Sequence, residues 1–168
     1  MPRSLDYRST LQYSADEVYA TMADPDYLRA RLDRLGGPGA ELLEHRADSD
    51  GTRYRLRHGL SSADLPPLIT ALMPGDIVIE RTETLVRKDV GRYAGNVSVD
   101  IRGTPASAAG RLNLADQVSG GSELAIHAEV TVNVLLIGGR IEAVIAEQVK
   151  KLLAAETAFT LDWLGRDH

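Results

Sequence analysis

The sequence predicts an α+β protein: one antiparallel sheet of seven strands with its helices gathered on a single face, the longest helix last. Three observations carry that reading. A first alternating strand is followed by two short helices with clear caps. Six further strand-like runs succeed one another between residues 40 and 133, separated by turn residues. The final segment then carries an apolar stripe at helical spacing.

In the first strand, Leu5, Tyr7, Leu11 and Tyr13 alternate with Asp6, Arg8, Thr10 and Gln12, the pattern of a half-buried strand. Ser14 and Glu17 have the S-x-x-E spacing of a capping box and open a helix through Met22. Asp24-Pro25 reads as N-cap and first residue of a second helix, which ends at Leu35 before Gly36-Gly37-Pro38-Gly39. Strands are expected at 40–47, 52–60, 76–88, 92–102, 107–117 and 122–133. The turn runs Asp48-Ser49-Asp50-Gly51, Lys88-Asp89-Val90-Gly91, Gly103-Thr104-Pro105 and Ser119-Gly120-Gly121 punctuate them. The stretch 61–76 contains Pro66-Pro67 and is too long for a hairpin. It reads as a loop with one or two helical turns, in which Leu65, Leu68, Ile69, Leu72 and Met73 form an apolar lid or plug the end of the sheet. From Ile141 onward, Val144, Ile145, Val149, Leu152, Phe159 and Trp163 fall in one stripe, with Arg140, Glu147, Lys150, Lys151 and Ala154 opposite. About 25 residues at 1.5 Å rise span roughly 37 Å, the length of a strand of about 12 residues, so one helix can lie along the whole sheet.

The 168 residues suit one domain, 1–168, large enough to bury a core. No cysteine is present, so disulfides, thiolate metal sites and cysteine nucleophiles are excluded. The net charge of -5 disfavours nucleic-acid binding, which needs a basic face. Arg53, Arg55 and Arg57 alternate on the outer face of one strand and read as solvated. No run approaches the ~20 apolar residues of a transmembrane helix. The segment MPRSLDYRSTLQY has no apolar stretch of signal-peptide type, so the cytoplasm is the expected compartment. The oligomeric state is not specified.

With these elements in order, the chain resembles the helix-grip superfamily (SRPBCC), which includes START lipid-transfer domains, the birch-pollen-allergen fold and the polyketide cyclase/dehydrase group. The resemblance covers nearly the whole chain. Its most specific stretches are YSADEVYATMADPDYL after the first strand and VNVLLIGGRIEAVIAEQV entering the last helix. Together they are similar to one of the superfamily's uncharacterised bacterial families of unknown function. The resemblance implies a curved sheet wrapped around the C-terminal helix, with a cavity between them for lipids, sterols or aromatic polyketides. It implies no particular activity, since one fold hosts many.

Gly138-Gly139 lacks the G-x-G-x-x-G spacing of a dinucleotide loop and the Gly-Lys-Ser/Thr of a phosphate loop. The pair reads as the hinge between the last strand and the helix, where glycine tolerates unusual backbone angles. His45, His58, His127 and His168 form no metal-binding spacing, so neither metal nor cofactor is expected. His127 should face outward.

Two polar residues fall on the apolar stripe of the last helix. Glu156 lies in angle between Ile145 and Val149, and Gln148 lies beside Ile141 and Phe159. A buried carboxylate must be paired, hydrated or protonated. Glu156 therefore anchors a ligand, pairs with a strand arginine such as Arg81, or projects past the sheet rim. Arg81 and Glu83 share the phase of Ile77, Ile79 and Leu85, so they line the cavity unless a bulge turns them out. Tyr54 and His58 share the phase of Leu56 and Leu60 and are pocket donors, satisfied core residues or rim residues. The Gly-, Ala- and Ser-rich stretch 93–114 either leaves volume for a ligand or lets the helix approach closely.

The leading expectation is a non-catalytic binder of a hydrophobic small molecule or lipid. Tyr54, His58, Arg81, Gln148, Leu152, Glu156, Phe159 and Trp163 are the candidate ligand-binding residues. It predicts a closed cavity of roughly a few hundred Å³. A cyclase or dehydratase would instead need an acid-base pair in that cavity, such as His58 with Glu156. A structural or interaction module would expose a large apolar patch.

Overall fold

The computed structural model describes residues 2–64, 66–72, 75–134 and 136–166, with only the backbone at 64, 68 and 72. Its elements follow the expected order. Strand β1 (Arg3–Leu11) leads to helices α1 (Ala15–Met22) and α2 (Pro25–Leu35). Strands β2 (Glu41–Ala47) and β3 (Gly51–Leu60) come next, then the short helix α3 (Pro67–Leu72). Strands β4 (Ile77–Asp89), β5 (Arg92–Ile101), β6 (Ala106–Asp116) and β7 (Ser122–Val132) precede helix α4 (Gly138–Gly165).

Among the described residues the strands form one seven-stranded sheet in the order β1-β7-β6-β5-β4-β3-β2, with every neighbour antiparallel. The α1–α2 pair is the connection between the two edge strands, and its caps are those the sequence announces. Ser14 Oγ accepts from Glu17 N at 3.2 Å while Glu17 Oε2 accepts from Ser14 N at 3.4 Å. Asp24 Oδ1 accepts from Asp26 N at 2.9 Å, with Pro25 in the first turn. Tertiary bonds fix the pair. Ala15 N donates to Asp116 Oδ1 at 2.7 Å, Tyr93 donates to Asp16 at 2.6 Å, and His45 Nε2 lies 2.6 Å from the Ala23 carbonyl oxygen.

The outer face is solvated by paired charges. Arg53 bonds Glu44, Arg55 bonds Glu80, Arg57 bonds Glu41, and His127 lies exposed 2.6 Å from Asp6. His168 lies outside the described residues.

Helix α4 starts at Gly138, three residues before the apolar stripe. The corner into it is not made by the glycines. The left-handed residue there is Leu136 (φ 71°), and Gly138 and Gly139 form the helix's first turn. Gly138 is demanded by close approach instead, since a Cβ there would sit 2.6 Å from the Val132 carbonyl oxygen. Ile137 supplies no side-chain cap, and the buried Glu142 carboxylate instead ties this turn to β7 by accepting from Val132 N at 2.8 Å. Among the described residues no helix is long and apolar enough to cross a membrane.

The core is discontinuous. One cluster joins α1 to the sheet through Leu11, Val18, Leu85, Leu112 and Leu114. A second packs Tyr27, Leu28 and Leu32 of α2 on Tyr54 and Leu56. A third gathers Ile69, Ile77, Ala106, Val132 and Ile141 at the N-terminal end of α4. Leu65 and Met73, with the side chains of Leu68 and Leu72, lie outside the described residues; Ile69 is buried in this third cluster.

Candidate functional site

Between the first and third clusters the concave face of the sheet does not meet α4. An inner cavity of about 110 Å³ remains, lined by Ile79, Val97, Val99, Val130, Ile145 and Val149 among others. Small side chains leave this room, since Ala108 and Ala128 line it where larger residues would reach the helix. An outer cavity of about 340 Å³ adjoins it. The two share His58, Ile79, Ile101, Ile145, Val149 and Leu152 and so adjoin along that wall. Pro66 and Ile69 form one wall of the outer part, and Leu60, Gln148 and Lys151, all exposed, lie on its rim. The expected cavity is therefore present but open at one end instead of closed.

One wall of the inner cavity is charged. Arg81 and Glu83 stand two apart on β4, between Ile79 and Leu85, on the inward face. No bulge intervenes: β3 and β4 pair in continuous register through Tyr54↔Glu83, Leu56↔Arg81 and His58↔Ile79. That register places the Tyr54 hydroxyl on Glu83, to which it donates. Arg81 Nε donates to Glu83 Oε1 at 2.7 Å, and Arg81 Nη1 donates to Glu156 Oε2 at 2.8 Å. From α2, Arg31 Nε approaches the same Glu156 oxygen at 3.6 Å. Tyr27 completes the group: Arg31 Nη1 donates to its hydroxyl at 3.5 Å, and that hydroxyl lies 2.5 Å from Thr160 Oγ1.

All four charged side chains are buried, two positive and two negative. An isolated buried charge costs several kcal/mol, and here each is offset by an opposite partner. Burial alone would push the Glu156 carboxyl up, but Arg31 and Arg81 outweigh it and hold it at about 2. Burial pulls the Arg81 guanidinium down, and Glu156 and Glu83 more than compensate, raising it well above its ordinary value. The Tyr54 hydroxyl is driven well up, by burial first and then by Glu83. His58 is lowered to about 4, chiefly by burial and then by Arg81. At neutral pH the imidazole is thus uncharged beside a balanced quartet.

The expected site residues separate into three groups. His58, Arg81 and Leu152 line the main cavity, with Gln148 at its exposed rim instead of within the helix's buried stripe. Tyr54 and Glu156 act behind that wall, as hydrogen-bond and ion-pair partners. Phe159 and Trp163 face α2 instead, where their rings lie 5.8 Å and 5.6 Å from the Tyr27 ring, and neither lines the cavity. Arg31 is the member that sequence reasoning missed. It was detectable by the test that singled out Glu156: it follows Tyr27 by four residues and Leu28 by three, on the buried stripe of α2.

A curved sheet gripping a C-terminal helix around an apolar cavity defines the START/birch-pollen-allergen class of folds. Two solved structures bear this out. A START superfamily protein from Mycobacterium smegmatis superposes with a TM-score of 0.52 at 11% identity, covering 96% of this chain and 98% of that one. Norcoclaurine synthase from Thalictrum flavum gives 0.56 at 16% identity, covering 100% and 96%. Within that class, the chain belongs to the family described as protein of unknown function (DUF2505), which it matches over residues 6–164. An uncharacterized protein of Mycobacterium tuberculosis is 30% identical over 170 residues, 98% of each chain.

Proposed function

We propose that this protein binds a hydrophobic small molecule or lipid, without catalysis, in the cavity between the sheet and α4. The observation that carries the reading is the pair of adjoining cavities between the sheet and α4, apolar on most of their lining. Small-molecule sites have this composition, an apolar lining with a few placed polar groups. Proteins of this fold commonly bind hydrophobic ligands.

The titratable groups support binding over a cyclase or dehydratase. Efficient proton transfer favours groups whose pKa lies near the working pH. Glu156 at about 2 and His58 at about 4 both lie far below it. Glu156 is moreover held by two guanidinium groups. An interaction module is supported less, because among the described residues the most exposed large apolar side chains, Val90, Val118 and Leu136, sit on three separate connections.

Native mass spectrometry of the purified protein tests the reading, together with titration by the neutral apolar dye Nile red. A retained small-molecule mass, or saturable dye binding at one site per chain, is the expected result. A bare chain mass with no dye binding would remove it.

A further inference from the structure

His58 stands where the two cavities adjoin, the waist between them, on the lining of both. Its side chain is only 5% exposed, and its Nε2 is buried with no hydrogen-bond partner among the described residues. Buried polar atoms in native proteins are nearly always hydrogen-bonded, because leaving one unpaired costs about 1–3 kcal/mol. The imidazole therefore presents an unused hydrogen-bonding atom on a lining whose charged groups, Arg81 and Glu83, are already engaged with each other and with Glu156 and Tyr54.

The charges around His58 restrict what can satisfy it. They are Arg81 and Glu83 on β4, Glu156 on α4 and Arg31 on α2. Two cations and two anions balance, and Arg81 is engaged by both carboxylates. The Arg31 guanidinium, whose Nη2 has no hydrogen-bond partner among the described residues, lines a smaller cavity of about 30 Å³ that shares Arg81 and Glu83 with the inner one. A ligand carboxylate brought to His58 would add a negative charge to a group whose charges already balance and would lie near two carboxylates. The cation free to meet one is Lys151, on the exposed rim. An uncharged hydroxyl or carbonyl carries no such penalty, and the neutral imidazole can accept from the first or donate to the second, according to its tautomer.

We infer that the ligand is an apolar molecule bearing an uncharged hydroxyl or carbonyl, which hydrogen-bonds His58 Nε2 at the waist while an apolar end fills the inner cavity. This rests on the binding function proposed above and deepens it by naming the ligand's chemistry.

Displacement of Nile red at pH 7.5 by octan-1-ol, octan-2-one and octanoate tests the assignment, in the wild type, His58→Leu and His58→Gln. The wild type should bind the alcohol and the ketone at least about tenfold tighter than octanoate. With each protein's own Nile red affinity taken into account, His58→Leu should reduce the preference for the alcohol and the ketone over octanoate about five- to tenfold, the loss of one buried hydrogen bond. His58→Gln, which keeps donor and acceptor atoms, should recover most of the affinity. Equal binding of alcohol and octanoate by the wild type would overturn the inference without any variant. Unchanged alcohol binding in a folded His58→Leu, or an equal loss for octanoate, would overturn it as well. If the wild type takes up no Nile red, the binding function itself fails, a result distinct from dye binding without selectivity.

Discussion

Arg81 on β4 and Glu156 on α4, 75 residues apart in sequence, form a buried ion pair at 2.8 Å that joins the middle of the sheet to the C-terminal helix. The same Glu156 oxygen is approached by Arg31 from α2, so one carboxylate holds three elements together.

Removing that carboxylate leaves two buried guanidinium groups with Glu83 as their one remaining anion. Glu156→Gln should lower unfolding stability by about 3–5 kcal/mol, the usual cost of breaking a buried pair from one side. Urea denaturation measures it. A loss below about 1 kcal/mol would mean that the cluster is solvated and the pairing incidental.

Acid should destabilise the protein in two overlapping stages. His58 titrates at about 4 when folded against an ordinary 6.5, so the unfolded chain binds the extra proton between those values. Its contribution is complete above pH 6.5 and is lost as pH falls to about 4; it amounts to about 3 kcal/mol. Glu156, lowered from 4.5 to about 2, adds a second loss in the same direction between those values. Urea midpoints at pH 7.5, 5.5 and 4 should therefore fall. His58→Leu should flatten the portion above pH 4, and an equally steep profile in that variant would rule out the histidine as its source.

The two glycines at the start of α4 should respond oppositely to alanine. A Cβ on Gly139 meets nothing within 4 Å, so Gly139→Ala should stabilise by about 0.4–1 kcal/mol by restricting the unfolded chain. Gly138→Ala forces a Cβ against the Val132 carbonyl and should destabilise. Thermal melting of the pair decides it, and the same sign for both would contradict the close approach.

Filling the inner cavity should abolish binding while leaving the fold intact. Ala128→Leu adds three carbons to a side chain on its lining. Nile red affinity should drop at least about tenfold with little change in the melting temperature, since the added atoms occupy existing space. Undiminished dye binding would place the dye elsewhere on the protein.

Much of the architecture was legible because its signals are local. Ser14 with Glu17 and Asp24 with Pro25 announce helix starts through bonds made within a few residues. Strand alternation put His58, Arg81 and Glu83 in phase with apolar neighbours but left a bulge possible for the last two, and the continuous β3–β4 register decided that they face inward; helical periodicity put Glu156 on the stripe of α4. Glycine composition misled at the corner before α4, where a strained Leu136 makes the turn and the glycine beside it answers to packing. Periodicity also overreached for Gln148, Phe159 and Trp163. It reports the direction of a side chain around its own helix axis, not what stands opposite.

The sequence alone determined the order and type of the elements and singled out Glu156, because periodicity, caps and turn chemistry are properties of short segments. Tertiary structure alone decided that Arg31 and Arg81 converge on that carboxylate and that Phe159 and Trp163 serve α2 instead of the cavity. It also decided that the outer cavity meets solvent-exposed residues, Leu60, Gln148 and Lys151. Those outcomes depend on how far the sheet curves from α4 and where α2 crosses it. Both are set by the sum of contacts between segments distant in sequence, which no single stretch encodes.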